Sequence, residues 1–207
     1  MELLLIRHAL PVRMEGLDGP ADPVLAEAGH QQAARLALYL GDEGLDAVYS
    51  SPLQRAVQTA EPVALVQRLP VIVDDGVAEY DRHHNEYVPI EELKAANDPR
   101  WQALLAGDPG VAGLDPFEFR ANIVRSIEAI IDRHAGRTKI AVVCHGGVIT
   151  AYISHMLSLD DPTGFFYPNY TSIHRVAAAR TGERSILTIN ETPHLRGSGL
   201  PVGIFNG

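Results

Sequence analysis

The sequence predicts an α/β fold: a three-layer α/β/α sandwich with a mostly parallel central sheet and a loop/helix insertion over one end of it. Three observations support this. Short aliphatic runs alternate with stretches of helical periodicity along most of the chain. The best of those runs are apolar throughout, as expected of parallel strands covered on both faces. One irregular stretch, about residues 76–115, is rich in Gly, Pro, Asp and Asn and breaks the alternation once. The whole chain, 1–207, is expected to form a single domain with that stretch as its insertion.

Each element follows from its local pattern. "ELLLI" (2–6) reads as a buried strand, and a loop rich in Gly, Pro and Asp follows to about residue 23. "LAEAGHQQAARLALYLGDEG" places Leu25, Ala33, Leu36, Ala37 and Leu40 at helical spacing and closes on Gly41 and Gly44. "DAVYS" (46–50) is a second strand. The next helix is expected to start with Ser51 as N-cap and Pro52 in its first turn. "VIVDD" (71–75) is the third strand, and the insertion holds two short helices near 89–96 and 99–106.

A strong helix is expected over 116–134, with Phe117, Val124, Ile127, Ile130 and Ile131 on its apolar side. "KIAVVCH" (139–145) is the fourth strand and "GGVITAYISHML" the helix after it. "TSIHRVAAAR" and "RSILTINE" form a closing strand pair around "TGE". The tail "RGSGLPVGIFNG" is expected to be mobile or packed as an irregular flap.

Composition narrows the function. A net charge of −9 argues against nucleic acid, whose binding draws on counterion release by cationic residues. No apolar run reaches the length of a membrane span, and no basic region precedes the first aliphatic run as in a signal peptide. The single cysteine, Cys144, rules out an internal disulfide framework and a Cys-based zinc site. A cytoplasmic protein is expected, with a homo-oligomer left open.

In open α/β sheets ligands sit beyond the carboxyl ends of the strands. There the sequence places Arg7 and His8, then Ser50-Ser51-Pro52 with Arg55 one turn on, then Glu79, and then His145-Gly146-Gly147. "LLLIRHA", "VYSSPLQRAVQTAEPVA" and "AVVCHGGVI", in this order and spacing, resemble the histidine phosphatase superfamily, which includes the cofactor-dependent phosphoglycerate mutases. "DPVLAEAGHQQAARLA" and "NYTSIHRV…INETPHL" extend the resemblance over nearly the whole chain.

The resemblance implies His8 as the nucleophile that accepts a phosphoryl group, its other ring nitrogen fixed by a backbone carbonyl. Arg7, Arg55, His145 and Gly146 would surround that group, with Gly146-Gly147 allowing close approach of an anion and anionic surroundings keeping His145 protonated. Glu79 would be the general acid, with Asp81 the next candidate. No cofactor or metal is implied, and the partner is a small-molecule phosphomonoester.

The departures from the family pattern fall on substrate-facing loops. Ala9, Pro11 and Met14 stand where mutases commonly have Gly, Thr and Asn, and Arg13 is the candidate to replace the missing amide. Arg82 and His83, with His84 beside them, are candidates to grip a second anionic group, or else form an exposed polar loop. Phe165, Phe166 and Tyr167 are candidates for a hydrophobic wall or for core packing. Retention of the phosphoryl pocket with altered loops favours a phosphomonoester hydrolase over a mutase. The alternatives are mutase-type transfer, a non-catalytic phosphate-binding protein, and a metal hydrolase. Adjacent His83-His84 lack the i,i+4 spacing that would suit two metal ligands on one helix face.

Overall fold

The aliphatic run at the start forms β1 (Glu2–Arg7), and its alternation decides how the sheet is covered. Side chains on a strand point to opposite faces in turn. Leu3 and Leu5 face one helical layer, Leu4 and Ile6 the other, and all four are completely buried. In the computed structural model, residues 1–16, 18–106, 115–134, 136, 138–162 and 166–204 are described.

The strands β2 (Ala47–Ser50), β3 (Val71–Val73) and β4 (Lys139–Cys144) run parallel to β1, while β5 (Ile173–Ala178) and β6 (Arg184–Glu191) are antiparallel. The sheet order is β3-β2-β4-β1-β5-β6. Helices α1 (Glu27–Tyr39) and α2 (Gln54–Gln67) cover the face of Leu4, Ile6, Val48, Ala141 and Val143. Two further short helices, α3 (Ile90–Ala95) and α4 (Pro99–Leu105), lie in the expected insertion. Helices α5 (Pro116–Arg133) and α6 (Gly146–Met156) cover the other face through Ile123, Ile127, Ile130, Val148 and Tyr152. The predicted mostly parallel, two-sided sandwich is the observed one.

Local details differ from expectation. Helix α2 starts at Gln54, and its N-cap is Leu53, which makes no side-chain capping bond. Ser51 does not cap it, because its hydroxyl lies 2.7 Å from Nε2 of His145. Phe117 is 58% exposed rather than on the buried stripe, which is Ile123, Ile127, Ile130 and Ile131. It sits in the first turn of α5, where its ring meets the guanidinium of Arg120. Residues 107–114 of the insertion and Phe165 lie outside the described residues. The described tail is a packed irregular segment: Gln32 donates to the Pro201 carbonyl, Tyr170 N–H to that of Val202, and Ile204 is buried against Leu93 and Trp101. Among the described residues no helix is long and apolar enough to cross a membrane.

At the sheet end opposite His8, one carboxylate ties three chain segments. Glu43 accepts from both terminal nitrogens of Arg175 at 2.9 Å and from Lys139 Nζ at 2.7 Å. These partners lower its pKa from an ordinary 4.5 to about 2, against an opposing effect of burial. A carboxylate depressed on folding stabilises the protein above its unfolded pKa, and that stability disappears as pH falls from about 4.5 through about 2. We expect Glu43→Gln to cost on the order of 2 kcal/mol at pH 7 in urea denaturation. The gap to wild type should close as pH is lowered through this range; a gap that persists at the acid end would show that the ion pairs are not its source.

Candidate active site

The carboxyl ends of the four parallel strands meet at one pocket of about 410 Å³. Its floor includes Arg7 and His8 from the end of β1, Arg55 from the first turn of α2, and Gly146 and Gly147 from the start of α6. Glu79, Tyr80 and Asp81 enter from the segment after β3. His145, the residue before α6, lies behind them, its ring centroid 5.1 Å from that of His8. The main chain holds this corner firmly: His8 N–H donates to the Cys144 carbonyl at 2.9 Å, and Ser51 N–H to that of Val143 at 2.9 Å.

His8 is 3% exposed, and its Nδ1 lies 2.7 Å from the carbonyl oxygen of Ala9. A carbonyl only accepts, so Nδ1 carries the proton and Nε2 keeps a free lone pair. Burial, then the charges of Arg55 and Arg7, hold its pKa well below the ordinary value of 6.5, so the ring is neutral at physiological pH.

His145 is also neutral, lowered by burial and by Arg55, His8 and Arg7. The protonated ring expected from sequence depends on anionic surroundings, whereas the side chains acting on it here are Arg55, His8 and Arg7. With Ser51 Oγ accepting from Leu53 N–H and donating to Nε2, the proton of His145 resides on Nδ1, a buried atom with no protein partner.

Two guanidinium groups complete the floor. Arg7 donates from Nη1 to the Pro168 carbonyl at 2.6 Å and lies 4.2 Å from the centre of the Tyr170 ring. Arg55, 1% exposed, donates from Nη2 to Asp81 at 2.7 Å and lies 4.7 Å from the Tyr87 ring centre. Arg7 Nε, Arg55 Nε, Arg55 Nη1 and His145 Nδ1 are buried without hydrogen-bond partners among the described residues. An unpaired buried donor is costly. Four of them around a neutral imidazole, beside the N-terminus of α6, form a site for a compact oxyanion.

Glu79 is placed differently from the other acids. It is 7% exposed and, among the described residues, accepts from two backbone groups, Gly147 N–H at 2.8 Å and Tyr80 N–H at 3.1 Å. Burial, then the nearby Asp81, raise its pKa to about 7, with the two N–H groups and Arg55 opposing. A Cβ on Gly147 would stand 2.4 Å from Glu79 Oε1, so this glycine makes room for a carboxylate of the protein rather than for an external anion, as had been expected. At Gly146 the nearest atom to such a Cβ is Arg7 Nε at 3.9 Å.

Three expected substrate contacts are elsewhere. Arg13 is half exposed and paired with Glu15 and Glu92, so it does not replace the missing amide. Arg82 pairs with Asp75 at 3.3 Å, and His83 is exposed; neither lines the pocket, although His84 does. Phe166 and Tyr167 do line it. Sequence reasoning missed Tyr87 and Tyr170, the rings beneath the two arginines, and Ser51 as the partner of His145. For Ser51 a signal existed, since it follows a strand that ends at the same level as His145.

We expect inorganic phosphate or orthovanadate to bind here in a calorimetric titration. Arg55→Ala, which removes two of the open donors, should weaken binding by about 10- to 100-fold, as for lost charged hydrogen bonds. An unchanged affinity would mean that the open donors do not converge on one anion.

The chain is 30% identical over 207 residues to phosphoserine phosphatase 1 of Hydrogenobacter thermophilus, covering 94% of both chains. It is 33% identical to a bifunctional protein of Mycobacterium tuberculosis, of whose length the match spans 54%. Among solved structures, a phosphoserine phosphatase variant from Entamoeba histolytica bound to phosphoserine matches with a TM-score of 0.72 at 25% identity, covering 94% of this chain and 98% of that one. A mycobacterial glucosyl-3-phosphoglycerate phosphatase, at 18% identity and a TM-score of 0.71, shares the fold. The sequence profile of the histidine phosphatase superfamily (branch 1) matches residues 3–192, and the chain belongs to that superfamily.

Proposed function

We propose that the protein hydrolyses small phosphomonoesters through a covalent phosphohistidine on His8, with Glu79 as the proton donor to the leaving group. The observation that carries this reading is the neutral His8 ring, its Nδ1 tied to the Ala9 carbonyl, set among four unfilled donors. Membership of a phosphatase superfamily and a relative named as a phosphoserine phosphatase support a small phosphorylated metabolite as the substrate.

The chemistry follows from the geometry. The Nε2 lone pair of His8 attacks phosphorus as the ester P–O bond breaks. Negative charge spreads over the three equatorial oxygens, where Arg7 Nε, Arg55 Nε and Nη1, and His145 Nδ1–H donate to it. Glu79 gives its proton to the departing alkoxide. Water then attacks phosphorus, its proton passes to the Glu79 carboxylate, and the P–N bond breaks to free phosphate and neutral His8. A group that gives and regains a proton works best with a pKa near the operating pH, which for Glu79 is about 7. Asp81 is the poorer choice, because it is engaged with Arg55. Its role is to hold that guanidinium. We further read residues 1–207 as one cytoplasmic domain acting on a small-molecule phosphomonoester, not on nucleic acid or a membrane.

Two predictions test the mechanism. His8→Ala should abolish phosphate release from p-nitrophenyl phosphate with chelator present, and wild-type turnover should be insensitive to the chelator. Activity that survives in His8→Ala would overturn the phosphohistidine route. Glu79 must be protonated to act as the acid, so wild-type kcat/KM for an alkyl phosphate should fall about tenfold per pH unit above about 7. Glu79→Gln should lower kcat about 10²- to 10⁴-fold with phosphate affinity retained, and should remove this alkaline limb. Gly147→Ala, by displacing the carboxylate, should resemble it. An alkaline limb identical in Glu79→Gln would assign the titration to the substrate instead.

A further inference from the structure

Beyond the phosphoryl floor, the pocket changes character. The floor uses Arg7 and Arg55, whose open donors meet one anion. The outer walls are apolar: Leu93, Leu104, Phe119, Phe166, Tyr167 and Ile204 come together from α3, α4, α5, the segment before β5 and the chain's returning tail. Leu93 and Ile204 belong to a small cluster of their own around Trp101, packed by Leu104 and Tyr167 and separate from the two cores of the sheet. Its Trp101 and Tyr167 rings lie 6.0 Å apart.

Among the described residues that line this pocket, one further arginine is present, and it is already occupied. Arg100 donates from Nε and Nη2 to the two oxygens of Asp98 at 3.0 and 2.8 Å, and from Nη1 to Glu86 at 2.7 Å, with Glu15 at 3.7 Å. A guanidinium facing three carboxylates has no charge to offer a fourth. Glu86 itself lines the pocket, as do Glu79 and Asp81. A second carboxylate or phosphate on the substrate would therefore meet apolar walls, three acids and the single imidazole of His84, with no arginine among the described lining residues free to receive it. Of the groups expected from sequence to hold such an anion, Arg13, Arg82 and His83 lie outside the pocket, and His84 lines it with its ring 6.3 Å from that of Tyr80.

We propose that the leaving-group half of the site selects an apolar phosphomonoester, an alkyl or aryl phosphate without a second anionic group. This rests on the reading of the floor as a phosphoryl site. It separates the chain from the relative named as a phosphoserine phosphatase, whose substrate carries a carboxylate beside its phosphate. Specificity here comes from removing hydrocarbon from water and from the cost of burying a charge without a partner. Leu104 and Ile204 are the residues that set it, being apolar and contributed to the pocket by α4 and the tail, in the cluster around Trp101.

The test is binding of non-hydrolysable phosphonates to the wild-type protein by calorimetry. From methyl- through butyl- to hexylphosphonate, affinity should rise about 3- to 4-fold per methylene. Pentylphosphonate should bind at least tenfold more tightly than 5-phosphonopentanoate, its carboxylate-ended counterpart. Leu104→Ala should reduce the ratio of hexyl- to methylphosphonate affinity, and Leu104→Arg should narrow or invert the preference over the carboxylate. A flat series with methylphosphonate still bound, or tighter binding of the carboxylate, would overturn this proposal and leave the phosphoryl site standing. Failure of every phosphonate and of inorganic phosphate to bind would overturn both.

Discussion

Holding two guanidinium groups out of water while leaving some of their donors unfilled is the constraint on which this architecture depends. Removing an arginine from solvent carries a penalty of several kcal/mol, and partial pairing offsets only part of it. The fold supplies what it can without closing the site. Arg55 receives one carboxylate oxygen and an aromatic face, and Arg7 a carbonyl and another face. Cation–π contact is well suited to this purpose, since it stabilises the charge while using none of the N–H groups. What remains unsatisfied is Nε of Arg7 and Nε and Nη1 of Arg55.

The same two cations determine how the other groups ionise. Their fields reinforce burial at His8 and His145 and keep both rings neutral, one with a lone pair to give and the other with an N–H to offer. The two nearby acids differ in their pairing. Asp81 takes Arg55 as its counter-ion, whereas Glu79 is buried without one and feels Asp81 as a like charge. A carboxyl raised toward neutrality by burial is a general way for a site to hold a transferable proton. The peptide N–H groups of Gly147 and Tyr80 temper the rise, so that Glu79 lies near neutrality instead of being permanently protonated.

Much of this was legible in the sequence because it rests on period and position. The alternation in "LLLI" and the unbroken apolar run of "IAVVC" specify a sheet covered on both faces, and strand ends locate Arg7, His8, Arg55, Glu79 and His145 without any knowledge of contacts. Failures came where a side chain had two possible uses. Ser51 reads as a helix cap until the ring of His145 arrives from a strand 94 residues away and takes its hydroxyl. Gly147 reads as a place for a ligand until Glu79 occupies it. Arg82 and His83 are adjacent to the acid in sequence, but the short turn Tyr80–His83 carries Arg82 out to Asp75. Tyr170 and Tyr87 had no local signature, because their function is defined by the guanidinium above each.

The loop that carries Tyr170 shows how firmly that placement is enforced. Thr171 adopts φ 53°, a left-handed conformation unfavourable for a β-branched residue, and it does so completely buried beside His8. Such a conformation survives only where its surroundings leave no alternative. Here its hydroxyl donates to the Tyr170 carbonyl and lies 2.8 Å from His194 Nε2. Around it, Asn169 N–H donates to the side chain of Asn190, Tyr170 N–H to Val202, and Arg7 N–H to the Ser172 carbonyl. Apart from the Tyr170 carbonyl, these partners belong to β1, β6 or the chain beyond it. The antiparallel strands and tail thus serve the parallel half of the sheet. They bend five residues, Pro168 to Ser172, into a cradle that presents a carbonyl and a ring to Arg7. Without that cradle the end of β1 would be an arginine and a histidine at the surface of a sheet; with it, they are a buried cation and a neutral base held in register.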